Sequence, residues 1–417
     1  MQALILAAGK SERFWPLGDK NFFEIDGQTL FARQITNLRQ AGVRKFIVVG
    51  NEQNSAELRN TNLKADYVLQ KDLKTGQAGA VLAAAQLLTQ PTLIVSTNDC
   101  YPVEPLRAVL QDQNSKFEGA LLAQKITEYF PGGYLAIDEK NFLKKIVEKP
   151  APSKVPSNLI NLVCHFYQKP QDLILELKKL QKFQEGDYER ALSRLSQTQK
   201  FKVVLNSGKW QPVKFPWHIL DLVKQRLTNL KVKIAKSAQI APTAQIQNSI
   251  IESGVKVLDF AIIQNSIVKE SSLIGSHTLV RDSLINQQAL VGSHSEVARS
   301  LIGRGITLHR NYIGDSVLAE GTNFGAGAIT ANLRFDQNEI LVKVKGKKIP
   351  TKRNKLGSII GPGCKIGVNT TISPGILIGK NTFCQSQNLI QKNLKENTFY
   401  STEFKTNLRP NNFPNNN

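Results

Sequence analysis

Residues 359–379 read Ile359-Ile360-Gly361-Pro362-Gly363-Cys364-Lys365-Ile366-Gly367-Val368-Asn369-Thr370-Thr371-Ile372-Ser373-Pro374-Gly375-Ile376-Leu377-Ile378-Gly379. Ile360, Ile366, Ile372 and Ile378 stand six apart, and glycine follows three of them. A period of six fits neither the 3.6 of a helix nor the simple alternation of a strand. It is the rhythm of a parallel β-helix, where each aliphatic residue points inward and small residues let the chain turn corners, three hexads to a triangular coil. The same rhythm opens at Ile234, Ile240 and Ile246, and continues with slips through Ile263, Ile267, Ile274, Val280, Leu284, Val291, Ile302 and Leu308. Residues 334–356 interrupt it with eight Lys/Arg, which predicts a loop thrown out from one coil.

Ahead of this array the pattern is different. Apolar runs at Ala3–Ala8, Lys45–Gly50, Tyr67–Gln70, Pro91–Asn98 and Gly119–Ala123 read as strands. Between them, Leu30, Phe31, Ile35 and Leu38 share one helix face that stops at Gly42; 78–88 and 106–113 are also helical, and a further helix from Pro216 to about Leu230 closes this half. Such alternation predicts an α/β doubly wound, mostly parallel sheet, Rossmann-like, whose ligands sit beyond the carboxyl ends of the strands. The expected organisation is an α/β domain over 1–225, a linker over 226–232, a left-handed parallel β-helix over 233–395 with the basic insert 334–356, and a disordered tail over 396–417.

Composition narrows the function. The chain has 417 residues, 41% hydrophobic, with 54 Lys+Arg against 33 Asp+Glu, a net charge of +21. The positive charge is spread along the chain and no nucleic-acid-binding motif accompanies it, so small phosphorylated substrates are favoured over nucleic acid. Cys100, Cys164, Cys364 and Cys384 form no CxxC pair, which argues against a zinc site or a disulfide framework. No apolar stretch approaches the ~20 residues of a membrane span. The expectation is a cytoplasmic protein with neither a membrane nor a nucleic-acid partner.

Near its start the chain reads Leu4-Ile5-Leu6-Ala7-Ala8-Gly9-Lys10-Ser11-Glu12-Arg13-Phe14-Trp15-Pro16-Leu17, with Lys20 close behind. A strand ending in a glycine turn exposes backbone N–H groups, and Arg13 and Lys20 can neutralise a triphosphate. Further on stand Gly76-Gln77-Ala78-Gly79-Ala80, Asn98-Asp99, Gly133-Tyr134, Glu148-Lys149-Pro150 and Asn161. A carboxylate at the end of a parallel strand suits a hard cation bridging phosphates, although Asp99 could equally cap a following helix. In this order the motifs resemble the sugar-1-phosphate nucleotidyltransferases, with Ser11 at the usual second glycine.

The resemblance implies that Ala8, Gly9, Gln70, Gly76 and Gln77 bind the nucleotide, and that Arg13, Lys20 and Asp99 are catalytic, with Asp99 holding Mg²⁺. Gly133, Glu148, Lys149 and Asn161 would bind the sugar phosphate. One position departs from the pattern: Pro212 stands where the family has a second metal-binding aspartate. Either Asp99 holds the metal with nucleotide phosphates and water, or Lys214 replaces some of the charge, or this half is inactive.

In the array, His309-Arg310-Asn311-Tyr312 precedes Asn323-Phe324-Gly325 and Thr330-Ala331-Asn332. This resembles the acetyltransferase half of the bifunctional enzymes that form UDP-N-acetylglucosamine, and the stretch through the insert is similar to their archaeal members. The implied chemistry is transfer of an acetyl group from acetyl-CoA to an amino-sugar-1-phosphate, with His309 as base, Tyr312 and Asn323 on the sugar phosphate, and Asn332 on the acetyl group. A corner residue of the β-helix is the structural alternative for His309. Two basic contacts of such sites fall at Leu279 and Val297; Arg299, Arg304, Lys345, Arg353 or Lys355 are the candidates to replace them. The resemblance also implies a homotrimer. Two rival readings stay open: a nucleotidyltransferase alone with a trimerising β-helix, and a non-catalytic regulatory subunit.

Overall fold

The computed structural model describes all residues except 98, 112–116, 181, 185, 209, 404, 406 and 411–417, so Asn98 and the end of the tail lie outside the described residues. The chain divides into two compact units, one of Met1–Phe14 with Gly18–His218, the other of Trp15–Leu17 with Ile219–Asn417.

In the first unit the core strands run Asp66–Leu69, Lys45–Gly50, Gln2–Leu6 and Thr92–Ser96, all parallel, as the apolar runs predict. Leu159–Tyr167 then joins antiparallel to Thr92–Ser96 and carries on into Gly133–Ile137 and Leu143–Glu148. Gly119–Lys125 also pairs with Leu159–Tyr167 and receives Phe201–Leu205. The sheet is thus parallel over its first four strands and mixed beyond them. Every residue of Gln2–Leu6 is buried, because helices cover both faces of the parallel part. The helix Leu30–Gln40 starts where Thr29 accepts a hydrogen bond from the Ala32 N–H, and buries Leu30, Phe31, Ile35 and Leu38.

The second unit is the left-handed parallel β-helix. Its short strands stack into three parallel sheets, each strand up to the insert pairing with the third one before it along the chain. Ile251, Val268, Ile285, Ile302, Leu318, Ile360 and Ile378 form one stacked column, and the same packing repeats on the other two sheets, giving a continuous apolar core. Residues one coil apart are mostly 17 apart rather than a full three hexads, which is why the middle of the array slips against a strict period of six.

One corner carries Asn248, Asn265, Asp282, Arg299 and Asp315 at φ between 44° and 50°. The left-handed region is strained for most residues, and Asn and Asp tolerate it best after glycine. Directly after each of these comes a buried serine or, at the start, Ser249. The Ser249 Oγ accepts from the Ser266 N–H, the Ser266 Oγ from Ser283, the Ser283 Oγ from Ser300, the Ser300 Oγ from Ser316 and the Ser316 Oγ from Ser358, at 3.0–3.1 Å. Each of these hydroxyls also donates to a carbonyl, as the Ser283 Oγ does to Arg281 O at 2.7 Å.

The insert is a hairpin rather than an open loop: Leu341–Val344 pairs with Lys347–Pro350, and Ile340, Val342 and Val344 are buried. The helix Ile219–Arg226 belongs to this unit and is tied to the insert by an Arg353–Asp221 ion pair. Phe399–Tyr400 pairs with Phe383–Cys384, so coil structure runs beyond residue 395.

Candidate functional site

At the carboxyl end of Gln2–Leu6 the chain leaves the sheet through Ala7-Ala8-Gly9. Asparagine amides hold the carbonyls of this turn: Asn54 Nδ2 donates to Ala7 O and Asn51 Nδ2 to Ala8 O, both at 2.9 Å. Asn54 also donates to Asp19, whose other oxygen accepts from the Ser11 hydroxyl at 2.9 Å. Ser11 has φ 51°, which accounts for glycine at this position in the resembling family.

A cavity of about 300 Å³ opens beside this turn, lined by Ala8, Gly9, Lys20, Gln70, Gly76 and Gln77 among others. Lys20 is buried, and the Gln70 amide donates to Gly76 O at 2.8 Å, fixing the loop that begins the helix Gly76–Ala83. Gln77 Oε1 is buried without a hydrogen-bond partner. The residues expected to take the nucleotide therefore surround one cavity. Arg13 is exposed, its guanidinium 6.0 Å from the centre of the Phe215 ring.

Asp99 begins a two-residue strand paired antiparallel with Gln211–Pro212, and Pro212 lies directly opposite it. The carboxylate is buried; Trp210 Nε1 donates to one oxygen at 2.9 Å and the Tyr101 hydroxyl to the other at 3.3 Å. Burial pushes the Asp99 carboxyl up, against the pull of Lys214, Trp210, Lys20 and Tyr101. Pro212 offers no ligand atom on its side chain. Among the described residues no group of three or more His, Cys, Asp and Glu is placed to hold a metal. Asp99 is thus the single side-chain carboxylate of the expected Mg²⁺ pair, with no second ligand supplied by the residue opposite it.

Gly133 and Glu148 are register partners on adjacent strands, and a methyl group on Gly133 would come within 2.9 Å of a Glu148 carboxylate oxygen and 3.4 Å of Asn161 Cβ. Glycine leaves that space to the Glu148 carboxylate. Lys149 follows at φ 45°, its N–H bonded to Gly132 O at 3.0 Å. Gly133, Glu148, Lys149 and Asn161 thus converge on one end of the mixed sheet.

Two further residues reach this cluster. His165 lies buried behind Asn161, with Nε2 2.8 Å from Asn161 Oδ1 and Nδ1 2.7 Å from the Tyr188 hydroxyl. Burial lowers the imidazole to about 3, so it is neutral, and Nε2–H donates to the asparagine oxygen. His165 stands four residues from Asn161 on one strand, a spacing that puts both on the same face. Lys214 is half-buried, its ammonium 3.3 Å from Pro131 O and 3.9 Å from the centre of the Phe130 ring. Burial lowers it to about 8; Asp99 and Glu148 oppose that fall, Arg13 and Lys149 add to it.

In the β-helix, Asn332 Nδ2 donates to the Tyr312 hydroxyl at 3.2 Å and to Asp315 Oδ2 at 2.5 Å. Asp315 is gripped from its other side by Arg299 in a two-pronged pair, both contacts 2.7 Å. Arg299 and Arg353, two of the candidates for a phosphate contact, are thus committed to carboxylates. His309 and Asn323 are exposed, outside that network. The corner bearing His309 is held by buried Asn311, which accepts from the His309 N–H and donates to Gly325 O and Ala328 O at 2.9 and 2.8 Å. His277 stacks between Phe260 and His294 along one edge, a structural role. Among the described residues no helix is long and apolar enough to cross a membrane.

Comparison with known proteins agrees with this division. A MobA-like NTP transferase domain matches residues 3–236, and the GMPPB C-terminal domain matches 228–331. The chain is 33% identical over 381 residues to a bifunctional sugar-1-phosphate nucleotidylyltransferase/acetyltransferase of Sulfurisphaera tokodaii, covering 89% of this chain and 92% of that protein. It is also 33% identical over 410 residues to a bifunctional protein GlmU of Methanococcus maripaludis, covering 96% and 97%. A UTP–glucose-1-phosphate uridylyltransferase of Haloferax volcanii matches 45% of the chain at 23% identity.

Proposed function

The chain belongs to the family of bifunctional sugar-1-phosphate nucleotidylyltransferase/acetyltransferases, and from that premise we propose how its two sites divide the work. The protein is an enzyme of two transfers, one of a nucleotidyl group and one of an acetyl group, serving UDP-N-acetylglucosamine synthesis. The observation that supports this most is the pairing of a lined cavity beside Gly9 with the Gly133–Glu148–Asn161 cluster at the same end of one sheet.

In the first reaction, an oxygen of a sugar-1-phosphate bonds to the α-phosphorus of UTP or dTTP. The bond from that phosphorus to the bridging oxygen breaks, and its electron pair leaves with pyrophosphate. No protein nucleophile is needed; position and charge neutralisation suffice. Ala8, Gly9, Gln70, Gly76 and Gln77 hold the nucleotide, and Arg13 and Lys20 neutralise its phosphates. Glu148 and Asn161 hold sugar hydroxyls, and Lys149 meets the sugar phosphate. Asp99, an expected metal ligand, orients Trp210 and Tyr101 and faces whatever cation the nucleotide carries.

In the second reaction, the amino nitrogen of glucosamine-1-phosphate attacks the thioester carbon of acetyl-CoA and the carbon–sulfur bond breaks, releasing the thiol. An amine of ordinary basicity is protonated at neutral pH, so a general base, His309, has to take the proton. Tyr312, Asn323 and Asn332 bind the sugar phosphate and the acetyl group. The exposure of His309 and Asn323 supports a homotrimer in which a neighbouring copy closes each acetyl site.

The test is a pair of assays on the purified full chain. Pyrophosphate release from UTP and N-acetylglucosamine-1-phosphate, and thiol release from acetyl-CoA and glucosamine-1-phosphate, are both expected. His309→Ala should abolish thiol release and leave pyrophosphate release intact. Silence in both assays, across nucleotides and sugar phosphates, would refute the reading.

A further inference from the structure

Asp99 and Lys214 interact electrostatically with Lys20, Arg13, Lys149 and Glu148, so that within this group four cations stand against two carboxylates. Both Asp99 oxygens already accept hydrogen bonds from Trp210 and Tyr101. The imbalance calls for a bound anion, because like charges held in a partly desolvated cleft repel one another until something negative enters. Lys214, held against Pro131 O and the Phe130 ring, lies within electrostatic reach of Arg13 and Asp99 on the nucleotide side and of Glu148 and Lys149 on the sugar side.

Its own partners do not satisfy it. An ammonium has three N–H donors, and Lys214 spends them on one backbone carbonyl and an aromatic face. Among the described residues it forms no ion pair. Such a group, fixed by the Phe130 ring yet lacking a counter-ion, is ready for a phosphate. Opposite Asp99 the chain offers Pro212, whose side chain brings no ligand atom for a cation.

We propose that Lys214 is a catalytic residue of the first site, its ammonium contacting the reacting phosphates and supplying from the protein the positive charge that a resident divalent cation would otherwise bring. The inference rests on the nucleotidyl-transfer reading of this unit and adds a phosphate contact to it. As the negative charge of the α-phosphate and the departing pyrophosphate grows, a cation already in position stabilises it without reorganisation. Magnesium carried in on the nucleotide then meets a site that depends on it less.

Pyrophosphate alone, with EDTA present, is the probe. Calorimetric titration of the full-length protein should show binding, weakened about tenfold or more in Lys214→Gln and kept within about threefold in Lys214→Arg. In transfer assays Lys214→Gln should lose about a hundredfold in kcat, and Lys214→Arg should recover most of it. Near-UV circular dichroism of both variants establishes that they are folded. Pyrophosphate binding and transfer by Lys214→Gln within about threefold of wild type would overturn the proposal. If the wild-type protein releases no pyrophosphate with any sugar phosphate, the transfer reading fails, while the EDTA titration still decides whether Lys214 binds the anion.

Discussion

Two buried or half-buried bases set the pH behaviour of the first unit. Lys214, lowered to about 8 by burial, has to be an ammonium to meet phosphate. Nucleotidyl transfer should therefore decline as pH rises through about 8, and Lys214→Arg should carry that limb beyond the range in which the protein is stable. His165 acts on stability instead. Its folded-state value of about 3 lies below the ordinary 6.5, so the unfolded chain binds the proton better between these limits. Stability is full above 6.5 and drains as pH falls towards 3, by up to about 1.4 kcal/mol per unit. Denaturant titrations of the wild type at pH 7 and pH 5 should show the loss, and His165→Gln should flatten it while raising KM for the sugar phosphate through Asn161. The motif residues Gly9, Arg13, Glu148 and Asn161 were legible because their chemistry shows in their types and order. His165 and Lys214 were harder to read, since their roles come from burial and from neighbours such as Asn161 and Glu148 that only the folded sheet supplies.

At the scale of elements, glycine and serine do different jobs. Gly133 gives way to the Glu148 carboxylate, and Gly133→Ala should push that side chain aside and raise KM for the sugar phosphate about tenfold with little change in melting temperature. The serine column is structural. Ser283→Ala strands the Ser300 N–H inside the coil and should cost about 1–3 kcal/mol, measured by denaturant unfolding, whereas a surface serine such as Ser253 replaced by alanine should cost under about 0.5 kcal/mol. The six-residue rhythm announced the β-helix because one aliphatic column must face inward. It did not announce the serine column, because a buried serine and an exposed one look alike until the coil length of 17 aligns them. Nor did it announce the insert hairpin, whose buried Ile340, Val342 and Val344 alternate with exposed Leu341 and Lys343 in a stretch dominated by eight basic residues.

At the scale of the whole molecule, the two units explain a chain with two chemistries. The first is read from a parallel sheet and the loops at its carboxyl ends; the second from the outer face of a stack. A homotrimer is the expected assembly, and sedimentation equilibrium should return about three times the 46.3 kDa of one chain; a monomer with full acetyl transfer would remove the partner from that site. Finally, the hairpin leaves the stack at Leu333 and returns at Lys355, yet the serine column passes straight from Ser316 to Ser358 at 3.0 Å. The coil closes behind the excursion as though it were absent. In evolutionary terms this is a docking bay for new sequence: material can be lengthened, shortened or exchanged at the Lys345–Gly346 tip without disturbing the register of any coil beneath, and a foreign peptide grafted there should be displayed by a stack that melts as before.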